Sequence, residues 1–140
     1  MTLSNRDLEA IFEQSPANLV VVDNDLRIVA ATDGYLKMAM RTRDGLIGQM
    51  FLEAFPDDPN DPEAKGNSVF ISAIDQVQRS KKTEWIPGAV RYPVERPANE
   101  GGGYEERWFT AVNAPVLDDN GEVIYVIHGN EDVTDSMSKD

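Results

Sequence analysis

The chain contains no cysteine among its 140 residues. Disulfides, cysteine-ligated zinc, iron–sulfur clusters and thiol nucleophiles are excluded with it. Histidine is nearly as scarce, the single one being His128. A lone imidazole without identified partners is a poor basis for acid–base catalysis. Positive charge is also short: 13 basic side chains face 25 acidic ones, a formal net charge of -12. Nucleic acid and anionic membrane surfaces both need a basic stripe, so neither is an expected partner. Apolar runs stop after a few residues, as at 19–22, far short of a membrane span. The first 13 residues are polar and mixed in charge, unlike a signal peptide. The expected location is the cytoplasm.

What is present suits one globular domain. The hydrophobic fraction is 41% and the charged fraction 27%, ordinary for a domain with its own core. Leu8, Ile11 and Phe12 fall at i, i+3 and i+4, which predicts an amphipathic helix over residues 1–15. Ser4 and Asp7 resemble a capping box, and Ser15-Pro16 ends the helix. Leu19-Val20-Val21-Val22 reads as a buried strand, Asp23-Asn24-Asp25 as a turn, and residues 26–31 as the paired strand. Residues 32–55 read as short, broken helices, and the Pro- and Asp-rich stretch 56–62 as a surface loop. Residues 63–80 form the best helical stripe, with Phe70, Ala73, Ile74 and Val77 on one face. Three strands follow. Residues 83–92 are interrupted by Pro87-Gly88. Residues 104–117 form a long strand after a loop at 93–103. Residues 123–130 follow the strong turn Asp118-Asp119-Asn120-Gly121. Strands on both sides of a helical block predict an α+β fold, one antiparallel sheet with helices packed on one face.

That order resembles the PAS family. Four segments carry the likeness: residues 19–28; Leu46-Ile47-Gly48-Gln49 with Phe51 and Phe55-Pro56-Asp57-Asp58-Pro59; Gly103-Tyr104-Glu105-Glu106-Arg107-Trp108 with Val112-Asn113-Ala114-Pro115; and Gly121-Glu122-Val123 through Asp132-Val133-Thr134. The second and third are similar in particular to the N-terminal PAS domains of bacterial, often hybrid, sensor histidine kinases. Two positions depart from the pattern: Asp33 stands near where many members carry asparagine, and Gly129-Asn130 follows the final-strand histidine. The resemblance implies a five-stranded antiparallel sheet (ββ, helices, βββ) cradling the helices, with the domain at 16–135 and a tail at 136–140. It implies a regulatory module without catalysis, a homodimer joined through the flanking helix, and an output of the histidine-kinase type.

The resemblance also sets the candidate sites. A ligand pocket would draw on Tyr35, Phe51, Phe55, Phe70, Trp85, Trp108, Asn113 and His128, against the simpler reading that these fill a core. Asp132 and Thr134 are the candidate signal exit, with Arg107 and Arg91 as partners across the sheet. Leu8, Ile11 and Phe12 are the candidate dimer contacts. The cofactor is unknown. Haem-binding members use a histidine on the long helix, which has none here, and the flavin photoadduct needs the missing cysteine. Asp57, Asp58, Asn60, Asp61 and Glu63 gather oxygen ligands, but Pro59 and Ser68 stand where a calcium loop needs acidic or amide side chains, so no metal is expected. Gly101-Gly102-Gly103 lacks the Lys-Ser/Thr and the following helix of a phosphate loop. The rivals to a sensor are a ligand-free dimerisation scaffold and a small enzyme.

Overall fold

The computed structural model describes residues 2–137. Helix α1 spans Asn5–Glu13, and Ser4 and Asp7 close the expected capping box at its start. The strands β1 (Asn18–Asp23) and β2 (Ile28–Ala31) form the opening hairpin. Its turn is held by the Asp23 carboxylate, which accepts from the Asp25 and Arg27 amides. Three short helices follow: α2 (Asp33–Ala39), α3 (Arg43–Leu46) and α4 (Phe51–Ala54). The long helix α5 (Gly66–Ser80) crosses the sheet and buries Phe70, Ile74 and Val77.

The last part of the chain departs from three plain strands. The predicted strand at 83–92 is present as two pieces, β3 (Glu84–Trp85) and β4 (Val90–Arg91), both paired antiparallel with one neighbour. Pro87-Gly88 separates them, since proline offers no amide to the ladder. The predicted loop at 93–103 contains strand β5 (Val94–Glu95) and a 3₁₀ turn, and β5 pairs with β6 (Tyr104–Glu105). The long strand expected from 104 therefore starts as β7 (Trp108–Leu117) after a break at Glu106-Arg107. β8 (Val123–Asp132) completes the main sheet, and α6 (Thr134–Met137) leaves it. Residues 136 and 137, expected in a tail, belong to this helix. Residues 138–140 of that tail lie outside the described residues.

All pairings are antiparallel, in the order β2-β1-β8-β7-β3 with β4 also on β7. Alternation puts Val20, Val22, Phe109, Ala111, Asn113, Val126 and His128 on one face, where they are buried. Helices α2, α4 and α5 supply the opposing layer: Tyr35, Leu36, Phe51, Phe70, Ile74 and Val77. Thr32 joins the two layers. Its hydroxyl caps α2 at the Tyr35 amide, accepts from the Leu19 amide and donates to the Ala17 carbonyl. Gly34 sits so close to this crossing that a Cβ would meet the Pro16 carbonyl oxygen at 2.2 Å. No described helix is long and apolar enough to cross a membrane.

Candidate functional site

Between the sheet and the helices lies a cavity of about 50 Å³. Tyr35, Phe51, Phe55, Phe70 and His128, five of the sequence-predicted residues, line it together. Their rings pack on one another. Phe51 and Phe70 stack at 3.9 Å and 6°, and His128 presents its ring edge-on to Phe70 at 5.1 Å. Tyr35 meets Phe55 edge-on at 6.0 Å.

Asn113 is fully buried beside the cavity, and its Oδ1 lies 2.8 Å from His128 Nδ1. That contact follows from register, because Asn113 and His128 are directly paired across β7 and β8. Burial depresses the His128 pKa to about 4, so the ring is neutral at neutral pH. Burial also raises the Tyr35 and Tyr92 hydroxyls above the usual phenol range. The titratable groups of the lining are therefore uncharged.

The two tryptophans belong elsewhere. Glu84 pairs with Asn113 and takes the inward phase, so Trp85 faces out and is 70% exposed. Trp108 shares the outward phase of β7 with Thr110 and Val112. Sequence reading also missed lining residues, among them Tyr92, Val94, Phe109 and Asn130. Phe109 and Asn130 were reachable by extending the alternation of β7 and β8; Tyr92 and Val94 were not, because they follow from a break in the strand pattern. Tyr92 is fixed by a clamp: its hydroxyl donates to the Phe55 carbonyl and accepts from Asn67 Nδ2. Arg41 forms another. Its guanidinium donates to the carbonyls of Ala39, Ala54 and Glu95 and lies 5.1 Å over the Phe55 ring.

At the end of β8 the candidate exit residues meet. Asp132 Oδ1 accepts from the Thr134 amide and hydroxyl, and Thr134 Oγ1 accepts from the Trp108 amide. Asp132 Oδ2 takes Arg107 at 3.1 Å, and Arg107 also holds Glu105 at 2.6 Å. Glu105 in turn takes Arg96 at 3.1 Å. Burial pushes the Glu105 carboxyl up, and its bonds to Arg107 and Arg96 outweigh that, so it sits below the usual range. Arg91, the other expected partner of Asp132, pairs instead with Asp61 and Glu106. Its strand β4 lies along the edge of β7 opposite to β8. Asp33, where many relatives carry asparagine, starts α2 and pairs with Arg43.

The match to the family model for the PAS fold runs over residues 12–137. The chain is a PAS domain. PAS domains are in general sensor and signal-transduction modules, regulatory and not themselves enzymes. No curated protein matches this sequence. Among solved structures, the PAS domain of a protein from Colwellia psychrerythraea aligns with a TM-score of 0.69 at 16% identity, covering 93% of this chain and 97% of that one. A light-oxygen-voltage protein from Rhodobacter sphaeroides aligns with a TM-score of 0.63 at 19% identity, over 90% of this chain and 65% of that one. The blue-light photoreceptor domain of aureochrome 1 aligns at 0.59 and 16% identity, over 96% and 92%. These identities speak for the fold alone.

The light-oxygen-voltage neighbours raise flavin as a cofactor, and the residues present do not fit it. The cavity of about 50 Å³ is far below the several hundred Å³ of a pocket for a large ligand. The chain also has no cysteine for an adduct. Haem fits no better: the same small cavity has no room for a macrocycle, and the long helix α5 carries no histidine.

Proposed function

We propose that this PAS domain is the sensory part of a cytoplasmic signalling system with a histidine-kinase-type output. In this reading its interior registers a small ligand or a partner, and β7 and β8 carry the state to Arg107, Asp132 and Thr134. One observation supports the reading above the rest. His128, Asn130 and Asp132 are consecutive positions of one face of β8; the first two line the cavity and the third holds the exit. Any outward movement of β8 beneath the cavity therefore strains the bonds that fix α6. A ligand can drive that movement only by its different affinity for the two arrangements.

Native mass spectrometry of the gently purified protein tests this. A retained small molecule, lost when the interior is filled by Ala111→Leu, is the expected result. Hydrogen exchange at residues 134–137 should change on its removal. Unchanged exchange there would end the relay reading.

A homodimerisation scaffold is the second reading. It is favoured by the tight interior and by Leu8 and Ile11 of α1, which are 52% and 59% exposed. Phe12, the third candidate contact, is half-buried and lines a surface hollow with Val29, Ala31 and Ile47. Light scattering tests the scaffold: a dimer dispersed by Leu8→Glu with Ile11→Glu is required by it, and a monomer at high concentration removes it.

A further inference from the structure

The cavity is mostly apolar, yet unmet polar groups gather around it. Asn130 Oδ1, on the lining, is buried without a hydrogen-bond partner among the described residues, and so is Asn113 Nδ2, on a residue that touches His128 but lies behind the lining. Tyr35 and His128, 3% and 6% exposed, bring a phenol hydroxyl and an imidazole to the same lining. A buried donor or acceptor left unmade costs about 1–3 kcal/mol as a rule, so such a concentration is informative. Their placement is set by register. Asn113 faces His128, and small Ala111 faces Asn130, which leaves room over the Asn130 carboxamide.

The lining decides the charge of an occupant. Among the described residues, no Asp, Glu, Lys or Arg lines the cavity. Arg41, the nearby cation, is committed to three carbonyls. An anion or a cation would be buried uncompensated, which is strongly unfavourable. A purely apolar molecule would leave the donors and acceptors unmet. Size narrows the field further: a water needs about 10–15 Å³ by the same measure, so the space suits on the order of four heavy atoms.

We propose that this cavity takes a small neutral ligand with a hydrogen-bond donor and acceptor on adjoining atoms, of the carboxamide or urea class, held by His128, Asn130 and Tyr35. The inference rests on the reading that the interior is the sensing site, and names the chemistry of what is sensed.

Acetamide is the probe, with acetate and methylammonium as charged counterparts and xenon as an apolar one, each titrated into the whole 140-residue chain and followed by NMR. Acetamide should give saturable shifts centred on His128, Asn130 and Tyr35, with an affinity of roughly millimolar order for so few atoms. Acetate and methylammonium should give none there. Tyr35→Phe and Asn130→Ala, the first a loss of one hydroxyl, should each weaken acetamide about three- to tenfold. Xenon entering without acetamide overturns the ligand class and leaves interior sensing standing. Neither probe entering overturns both. Unchanged acetamide affinity in both variants also overturns the assignment, as does ordered water alone in a crystal soaked with acetamide.

Discussion

The two sides of the sheet are built on different principles. On one side, β1, β8 and β7 run as long continuous ladders over a core whose members Val20, Val22, Ile74, Val77 and Val126 are at most 1% exposed. On the other, residues 84–107 form four two-residue strands separated by proline, glycine and charge, β3 and β4 edging the sheet at β7 while β5 and β6 pair only with each other. That side is held by side chains: Arg41 on backbone carbonyls, Tyr92 on Phe55, and the run Arg96–Glu105–Arg107–Asp132. Burial of apolar area is non-directional and cumulative, so it gives a stiff scaffold. Partly exposed ion pairs contribute little each but fix geometry. The scaffold side resists change, whereas the broken side closes the cavity and touches the candidate exit, so in the proposed reading it is the side on which a signal is written.

Substitutions sharpen or break this contrast. Ile74→Ala removes a side chain 1% exposed from the scaffold. A loss of about 3–4 kcal/mol is expected by urea denaturation, and a loss below about 1 kcal/mol would show the core side to be as pliant as the other. Acid acts next. His128 folds neutral, its pKa depressed to about 4 by burial. The unfolded chain binds a proton that the folded chain refuses, beginning near the free-histidine value of about 6.5. Stability should therefore fall as pH drops from about 6.5 to about 4, by roughly 3 kcal/mol attributable to this ring. The difference in pH dependence between the protein and His128→Gln isolates that contribution, and parallel curves would refute it. Arg107→Gln, which leaves Asp132 and Glu105 without their shared partner, should cost about 1–2 kcal/mol and speed hydrogen exchange in α6. Exchange unaltered in α6 would show that the exit is not held from this side. Arg96→Ala, at a pair about one-third exposed on each partner, should cost under about 1 kcal/mol. A larger loss would mean the charged run acts as one unit.

The same contrast governs how much the sequence told. Where burial and turn chemistry set the structure, the residues announced it: the Val-rich hairpin around Asp23, the stripe Phe70–Ile74–Val77, and the Asp118–Gly121 turn all formed as read. The cavity was legible to the same degree, since Tyr35, Phe51, Phe55, Phe70 and His128 converge. Trp85 misled because strand alternation states that neighbours face opposite ways but not which faces in. The phase is set by the pairing of Glu84 with Asn113, which is long-range. Arg41 and Tyr92 were invisible for a related reason: their partners are carbonyls, which carry no sequence signal. The Asp132–Thr134 turn could be read locally, but the choice of Arg107 over Arg91 depended on which edge of β7 each strand joins.

The strand order carries a consequence for how the molecule comes into being. β8, the last of the described strands in chain order, lies in the middle of the sheet between β1 and β7. Until residues 123–132 leave the ribosome, the opening hairpin and β7 have no common neighbour, and the inner row Val20, His128, Asn113 is incomplete. The apolar faces of the nascent domain therefore stay without their central strand until residues 123–132 are available, and closing the sheet is a late, long-range event.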